Sequence, residues 1–190
     1  MKTRRGVCFA VTVVCMLGFL GMSGCATYSR APAKYAQRSS GFQVTLPTGW
    51  LRYTPAQSGM TITRDGMRLE KITILVTRFG KELPGTKRVY NADMLPHEAA
   101  DLFIELAKAQ NDTHNFEVGK IDLTPVANQD GFRIDAAYVD EQGLHKKIRT
   151  YGVVTDTHVC NLVFDAANPT YFKRYEDVFK SIVDSARFVR

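Results

Sequence analysis

Three small or apolar residues run directly into a thiol at Met22-Ser23-Gly24-Cys25, the position in this 190-residue chain with the most legible chemistry. Small side chains before a cysteine let a peptidase reach the backbone, and the cysteine sulfur can then carry a lipid. Cleavage there removes Cys8 and Cys15 and leaves Cys160 as the one free thiol, which excludes an intrachain disulfide and a multi-cysteine metal site. Cys160 shares an alternating face with Leu162 and Phe164 and reads as a small buried hydrophobe. Four histidines are scattered: His97 in a first helical turn, His114 in a polar loop, His145 after one hairpin turn and His158 after another. Strand pairing through the short turn between the last two sets them far apart, so no metal site is expected. Asp135 falls where a cross-strand ion pair with Lys147 or Arg149 is the ordinary reading and a polar recognition groove the functional one. Trp50, Tyr53, Tyr90 and Tyr151 form the candidate binding surface, because rigid amphipathic rings give contact area at low entropic cost. Trp50 also reads as a closing residue for the first strand. No Gly-x-Ser-x-Gly elbow, dinucleotide or phosphate-binding glycine loop, or His-Glu-x-x-His pair is present. No cofactor and no catalytic set is expected.

The elements that position these residues begin with the leader. Lys2, Arg4 and Arg5 precede an apolar run of 17 residues, Gly6 to Met22, that ends at the thiol. This layout resembles the signal of bacterial lipoproteins, with Met22 where leucine is more usual. The resemblance implies removal of residues 1–24, diacylglycerol and an amide-linked palmitate-type chain on Cys25, and a mature protein outside the cytoplasm. Ala26, which is not the aspartate associated with inner-membrane retention, favours the outer membrane facing the periplasm. An uncleaved membrane anchor and an ordinary secretory leader are the alternatives. Residues 25–40 are small and polar without periodicity and read as a flexible tether. The net charge of +6 resides in the six basic residues Lys2, Arg4, Arg5, Arg30, Lys34 and Arg38, which leaves 19 basic against 19 acidic residues from 41 onward. A neutral domain lacks the electrostatic footprint of a nucleic-acid binder.

Residues 41–190 suit one domain. Phe42, Val44 and Leu46 alternate before Pro47-Thr48-Gly49-Trp50, and Met60 to Arg64 meets Asp65-Gly66 before a long strand from Leu69 to Phe79. Pro84-Gly85 marks an exposed loop over 81–93, with a short strand around Arg88 to Tyr90. A helix from about Pro96 presents Ala99, Leu102, Phe103, Leu106 and Ala109 on one face, with Glu98 and Asp101 near its positive end. Strands follow at Phe116–Leu123, Gly131–Val139, Leu144–Val154 and His158–Phe164, with Asp130-Gly131 as one connector. A terminal helix after Asn168-Pro169 shows Phe172, Tyr175, Phe179 and Ile182 at helical spacing. The pattern predicts an α+β domain, a mostly antiparallel sheet flanked by helices in an αβα sandwich.

Two stretches carry a further resemblance. Gly41-Phe42-Gln43-Val44-Thr45-Leu46-Pro47-Thr48-Gly49-Trp50 is similar to the opening strand and Pro-x-Gly-Trp turn of the PsbP-like superfamily, and Tyr171 through Phe188 to its closing helix and short final strand. The resemblance implies a PsbP-like domain over 41–190 and a binding or assembly role, since no catalytic set is shared in that superfamily. The expectation is a lipid-anchored, non-catalytic envelope protein that meets the membrane through Cys25 and binds an envelope protein or a small ligand. A small periplasm-facing hydrolase or other enzyme with an unrecognised site is the alternative.

Overall fold

The computed structural model describes residues 27–54, 59–109 and 113–189. Cys25 and the leader lie outside the described residues. The strands are β1 Thr27–Arg30, β2 Lys34–Gln37, β3 Phe42–Thr45, β4 Leu51–Thr54, β5 Met60–Thr63, β6 Glu70–Arg78, β7 Thr113–Val126, β8 Gln129–Asp140, β9 His145–Val154, β10 His158–Ala167 and β11 Arg187–Phe188. The helices are α1 Pro96–Ala109 and α2 Thr170–Asp184. Eight strands form one sheet in the order β1-β4-β5-β6-β10-β9-β8-β7, and β11-β3-β2 form a second, smaller one. Every strand pairing is antiparallel.

Period-two alternation sorts the large sheet into two faces. On one, Ile72, Ile74, Val153, Cys160, Leu162 and Phe164 join Phe172, Phe179 and Ile182 of α2 in a single core. Phe164 stacks on Phe172 with ring centroids 5.0 Å apart. On the other, Phe132, Ile134, Ala136 and Val159 pack with Leu102, Phe103 and Ile104 of α1. β10 sits mid-sheet with both faces covered, which is why its burial is continuous. Gly152 permits a close approach inside the α1 core: a Cβ there would meet Cζ of Phe132 at 2.1 Å.

The layering fits the expected sandwich in part. α1 covers the β7–β9 half of its face, while the opposite layer is α2 together with the small sheet, to which β3 contributes Phe42 and Val44 as core residues. α1 starts as its sequence predicts, with Glu98 Oε2 reaching back to accept from the Leu95 backbone N–H at 2.8 Å. Its buried face is broader than the spacing predicted. Ala100, Ile104 and Ala107 are buried along with Ala99, Leu102 and Phe103, whereas Ala109 is exposed. α2 buries the predicted Phe172, Tyr175, Phe179 and Ile182.

Two readings are corrected. Within the stretch 25–40 read as a flexible tether, the described residues from Thr27 on join the fold: β1 pairs with β4, β2 pairs with β3, and Tyr35 is buried in the α2-side core. Its short strands carry little apolar alternation of their own and gain their partners only from distant sequence. The turn between β7 and β8 lies at Ala127 and Asn128, both with positive φ (53° and 62°), and not at Asp130-Gly131. Gly131 is instead buried within β8, where a Cβ would sit 2.4 Å from the Gly152 carbonyl oxygen. The 81–93 loop closes on an isolated Glu82–Val89 bridge, and it sends Leu83 and Tyr90 into the α1-side core.

Candidate functional site

The α1-side face of the sheet carries a row of polar groups among apolar neighbours. In the ladders Asp165 of β10 stands opposite Lys71 of β6, and Tyr138 of β8 opposite Lys146 of β9, so four adjacent strands place these side chains together. Asp165 is 4% exposed and Lys146 is 3% exposed. Asp165 Oδ2 accepts from the Tyr138 hydroxyl at 2.9 Å and pairs with Lys71 Nζ at 3.2 Å, while its Oδ1 faces Lys146 Nζ at 3.1 Å. Lys146 Nζ also donates to the Arg68 carbonyl at 2.7 Å. A buried carboxylate is tolerable only with such partners. Between this row and α1 lies a cavity of about 230 Å³, with Lys71, Thr73, Tyr138 and Asp165 at its polar end. Leu75, Phe103, Leu106 and Val163 supply the apolar wall. A concave, mostly apolar space with a few convergent polar groups suits a small amphiphile, its tail against the helix and its head at Lys71 and Asp165.

On the opposite face, Arg78 of β6 stands beside His158 of β10 at the end of their ladder, and the end of β2 and the residues after it bring Gln37 and Ser39 to the same cleft. His158 is 5% exposed. Its Nδ1 lies 2.8 Å from Thr157 Oγ1 and its Nε2 3.4 Å from Ser39 Oγ. Burial, with the Arg78 charge adding to it, holds the imidazole below its ordinary pKa. Among the described residues no carboxylate lines this cleft, so none of them orients the ring at the Ser39–His158 contact. His145 is at the far end of β9, as expected from the pairing, and is exposed.

The aromatic surface does not assemble. Trp50 and Tyr90 are each 1% exposed, with Trp50 packed edge-on against Tyr175 at 5.2 Å and Tyr90 in the α1-side core. Burial pushes the Tyr90 hydroxyl up to about 12. Tyr53 lies at the sheet edge against Tyr28, and Tyr151 is half-buried against Phe179. The four rings therefore occupy separate places, because rings large enough to make a surface also fill a core most effectively. Cys160 is buried, and its thiol is pushed up to about 12 by that burial, consistent with a packing role. Asp135 pairs with Arg149 at 2.6 Å and also contacts Arg133, while Arg149 reaches Glu176 of α2. Burial pushes the Asp135 carboxyl up, but hydrogen bonds from Arg149 and Arg133 outweigh it and lower the pKa. This network ties α2 to the sheet. Among the described residues no group of three or more His, Cys, Asp or Glu is placed to hold a metal ion.

Neither a protein-family model nor a curated protein matches this sequence. Solved structures do match. Cyanobacterial PsbP (CyanoP) from Synechocystis sp. PCC 6803 aligns with a TM-score of 0.59 at 13% identity, over 91% of this chain and 99% of that one. The fold is PsbP/Mog1-like. LpqN of Mycobacterium tuberculosis, involved in cell envelope biogenesis, aligns at 0.56 and 10% identity over 89% of this chain and 88% of its own. The Saccharomyces cerevisiae Ran-binding protein Mog1p aligns at 0.54 and 12% identity, over 85% and 97% respectively.

Within this PsbP/Mog1-like fold, His158 is the one residue of the two concave sites that its type brings forward in the sequence. Asp165 falls one residue beyond the predicted end of its strand, and Lys71 and Lys146 lie inside predicted strands without belonging to any motif. The one signal in the sequence is Asp165 itself, a carboxylate between Phe164 and Ala166 at the end of an apolar run; Lys71 and Lys146 sit beside Glu70, His145 and Lys147 and carry none. Ser39 and Gln37 were hidden by the tether reading.

Proposed function

We propose that this protein is a lipid-anchored, non-catalytic binding module of the bacterial envelope, and that the cavity beneath α1 takes a small amphiphilic ligand. The observation that carries the reading is the buried Asp165, held by the partly exposed Lys71, the Tyr138 hydroxyl and the buried Lys146 behind it, at the polar end of an apolar-walled cavity. The ionic row orients a polar head, and the wall formed by Phe103, Leu106 and Val163 excludes water from the tail. LpqN's involvement in cell envelope biogenesis and the Ran-binding character of Mog1p support a binding role for this fold.

The anchor reading rests on the Cys25 signal. β1 begins only two residues after Cys25, so Thr27 lies within about 7 Å of the lipidated residue, at about 3.5 Å per residue. Lipid on Cys25 would hold the β1–β4 edge against the bilayer. That edge exposes Tyr28 and Leu51 beside Arg30 and Arg52, the aromatic and cationic mixture suited to a membrane interface. Ala26, which is not the aspartate associated with inner-membrane retention, favours placement in the outer membrane facing the periplasm.

The cavity is tested with the amphiphilic dye anilinonaphthalene sulfonate added to the folded protein. Saturable binding of one dye, lost in Ala107→Phe while the circular dichroism spectrum is kept, is the expected result. Absence of binding, or binding that Ala107→Phe leaves unchanged, would reject the cavity as a ligand site.

A further inference from the structure

We propose that the cleft formed by Arg78, Lys81, His158, Thr157, Ser39 and Gln37 is an oxyanion site that takes a phosphoryl group. It lies on the α2 side of the sheet, on the face opposite the cavity beneath α1, and has a volume of about 540 Å³. Two cations, Arg78 and Lys81, border it, and among the described residues no acidic side chain does. Neither cation forms an ion pair among the described residues, so both charges are available to a ligand. The remaining polar lining is the hydroxyls of Ser39 and Thr157, the Gln37 amide and the His158 ring, with both ring nitrogens engaged by the two hydroxyls and one Gln37 N–H donated to Ser39. A polar concavity with two positive charges and no acid among the described residues matches a tetrahedral dianion better than a neutral ligand or a cation.

Two features give the cleft a built geometry. His158 is buried and held at both nitrogens, by Thr157 Oγ1 at 2.8 Å and Ser39 Oγ at 3.4 Å, so its ring plane is set before a ligand arrives. Arg78 is its register partner across β6 and β10, which puts both side chains on one face of the sheet. The strap that supplies Gln37 and Ser39 is itself anchored, with Tyr35 in the core and β2 paired to β3. The ring is held mostly neutral at pH 7 by burial and by the neighbouring Arg78 charge. A bound anion would offset both effects, so occupancy and protonation of His158 are coupled. Arg78 and Lys81 are the charged side chains that line the cleft with it.

The phosphoryl group can come from a soluble phosphate or from a lipid headgroup, and the experiment separates them. The full chain, purified in detergent, is titrated with inorganic phosphate, with chloride at matched ionic strength as control, while the His158 imidazole resonances are followed by NMR across pH. The expected result is saturable phosphate binding that raises the His158 pKa, with Arg78→Gln weakening affinity at least tenfold and Arg78→Lys recovering part of it. Lys81→Gln, also an exposed position, provides a second variant whose fold can be checked by circular dichroism. A response to phosphatidylglycerol vesicles, absent with phosphatidylcholine and with inorganic phosphate, would support the site and assign it to a headgroup. His158 shifts no larger with phosphate or phosphatidylglycerol than with their controls, or affinity indifferent to both Arg78→Gln and Lys81→Gln, would overturn it. Ala107→Phe, which fills the cavity on the other face, leaves the phosphate response unchanged.

Discussion

At the scale of single residues, the buried charges carry the largest consequences. Asp165 and Lys146 are both almost wholly buried, so each needs the other far more than a surface pair would. Asp165→Ala strands Lys146 without its carboxylate and should cost about 3–5 kcal/mol in urea unfolding. The double variant Asp165→Ala with Lys146→Met removes the uncompensated charge and should recover most of that loss; a double variant no better than the single one would mean that Lys146 is not the stranded partner. His158 gives a pH signature of the opposite kind. Its folded-state pKa lies below the unfolded value of about 6.5, so the unfolded chain takes up its proton first as pH falls. The neutral ring is fully tolerated above pH 6.5, and stability declines from there down to the folded pKa. Urea midpoints measured across that window, in a buffer without phosphate, should fall more steeply for the wild type than for His158→Gln. Parallel slopes would contradict the depressed pKa.

At the scale of elements, the two helices and the first strands differ in how much of their placement is local. α2 is specified by its own spacing: the four residues that recur at helical intervals are the four that are buried. α1 is specified less completely, because it must cover a twisted half-sheet and so buries Ala100, Ile104 and Ala107 outside the narrow stripe. β1 and β2 belong to the domain only through pairing with β4 and β3. A chain beginning at Gly41 therefore loses the β2 edge of the small sheet and the buried Tyr35. Compared with a chain beginning at Thr27, it should be less stable by about 2 kcal/mol or more, the scale of burying one large side chain. Equal urea midpoints for the two chains would show that 27–40 contributes nothing to the fold.

At the scale of the whole molecule, the domain presents two concave sites on opposite faces of one sheet and an N-terminal edge that starts two residues after Cys25, the proposed lipidation site. Acylation of Cys25 would place that edge at the membrane and leave little slack for the domain to move away. Intact-mass analysis of the membrane form should give a chain beginning at Cys25 with added acyl mass, and Cys25→Ser should move the protein out of the membrane fraction. A mature chain without acyl mass would remove the anchor from the proposal. It would not touch the cavity or the cleft, which are built entirely from residues after Thr27.

Local periodicity by itself determined the α+β class, the antiparallel order of the C-terminal strands, the core face of α2 and the burial of Cys160. These are properties of neighbours three, four or two residues apart, and the chain states them directly. The resemblance at 41–50 and 171–188 pointed to the same PsbP-like fold. Only the tertiary structure decided that Thr27–Gln37 pairs into the sheets, that Trp50 and Tyr90 are buried rather than grooved, and that the β7–β8 turn falls at Ala127-Asn128. It also decided both concave sites. Lys71, Lys146 and Asp165 come from three strands separated by up to 94 positions, and Ser39 meets His158 across 119. Sequence spacing carries no information about such meetings, since register between distant strands is set by the packing of the whole sheet.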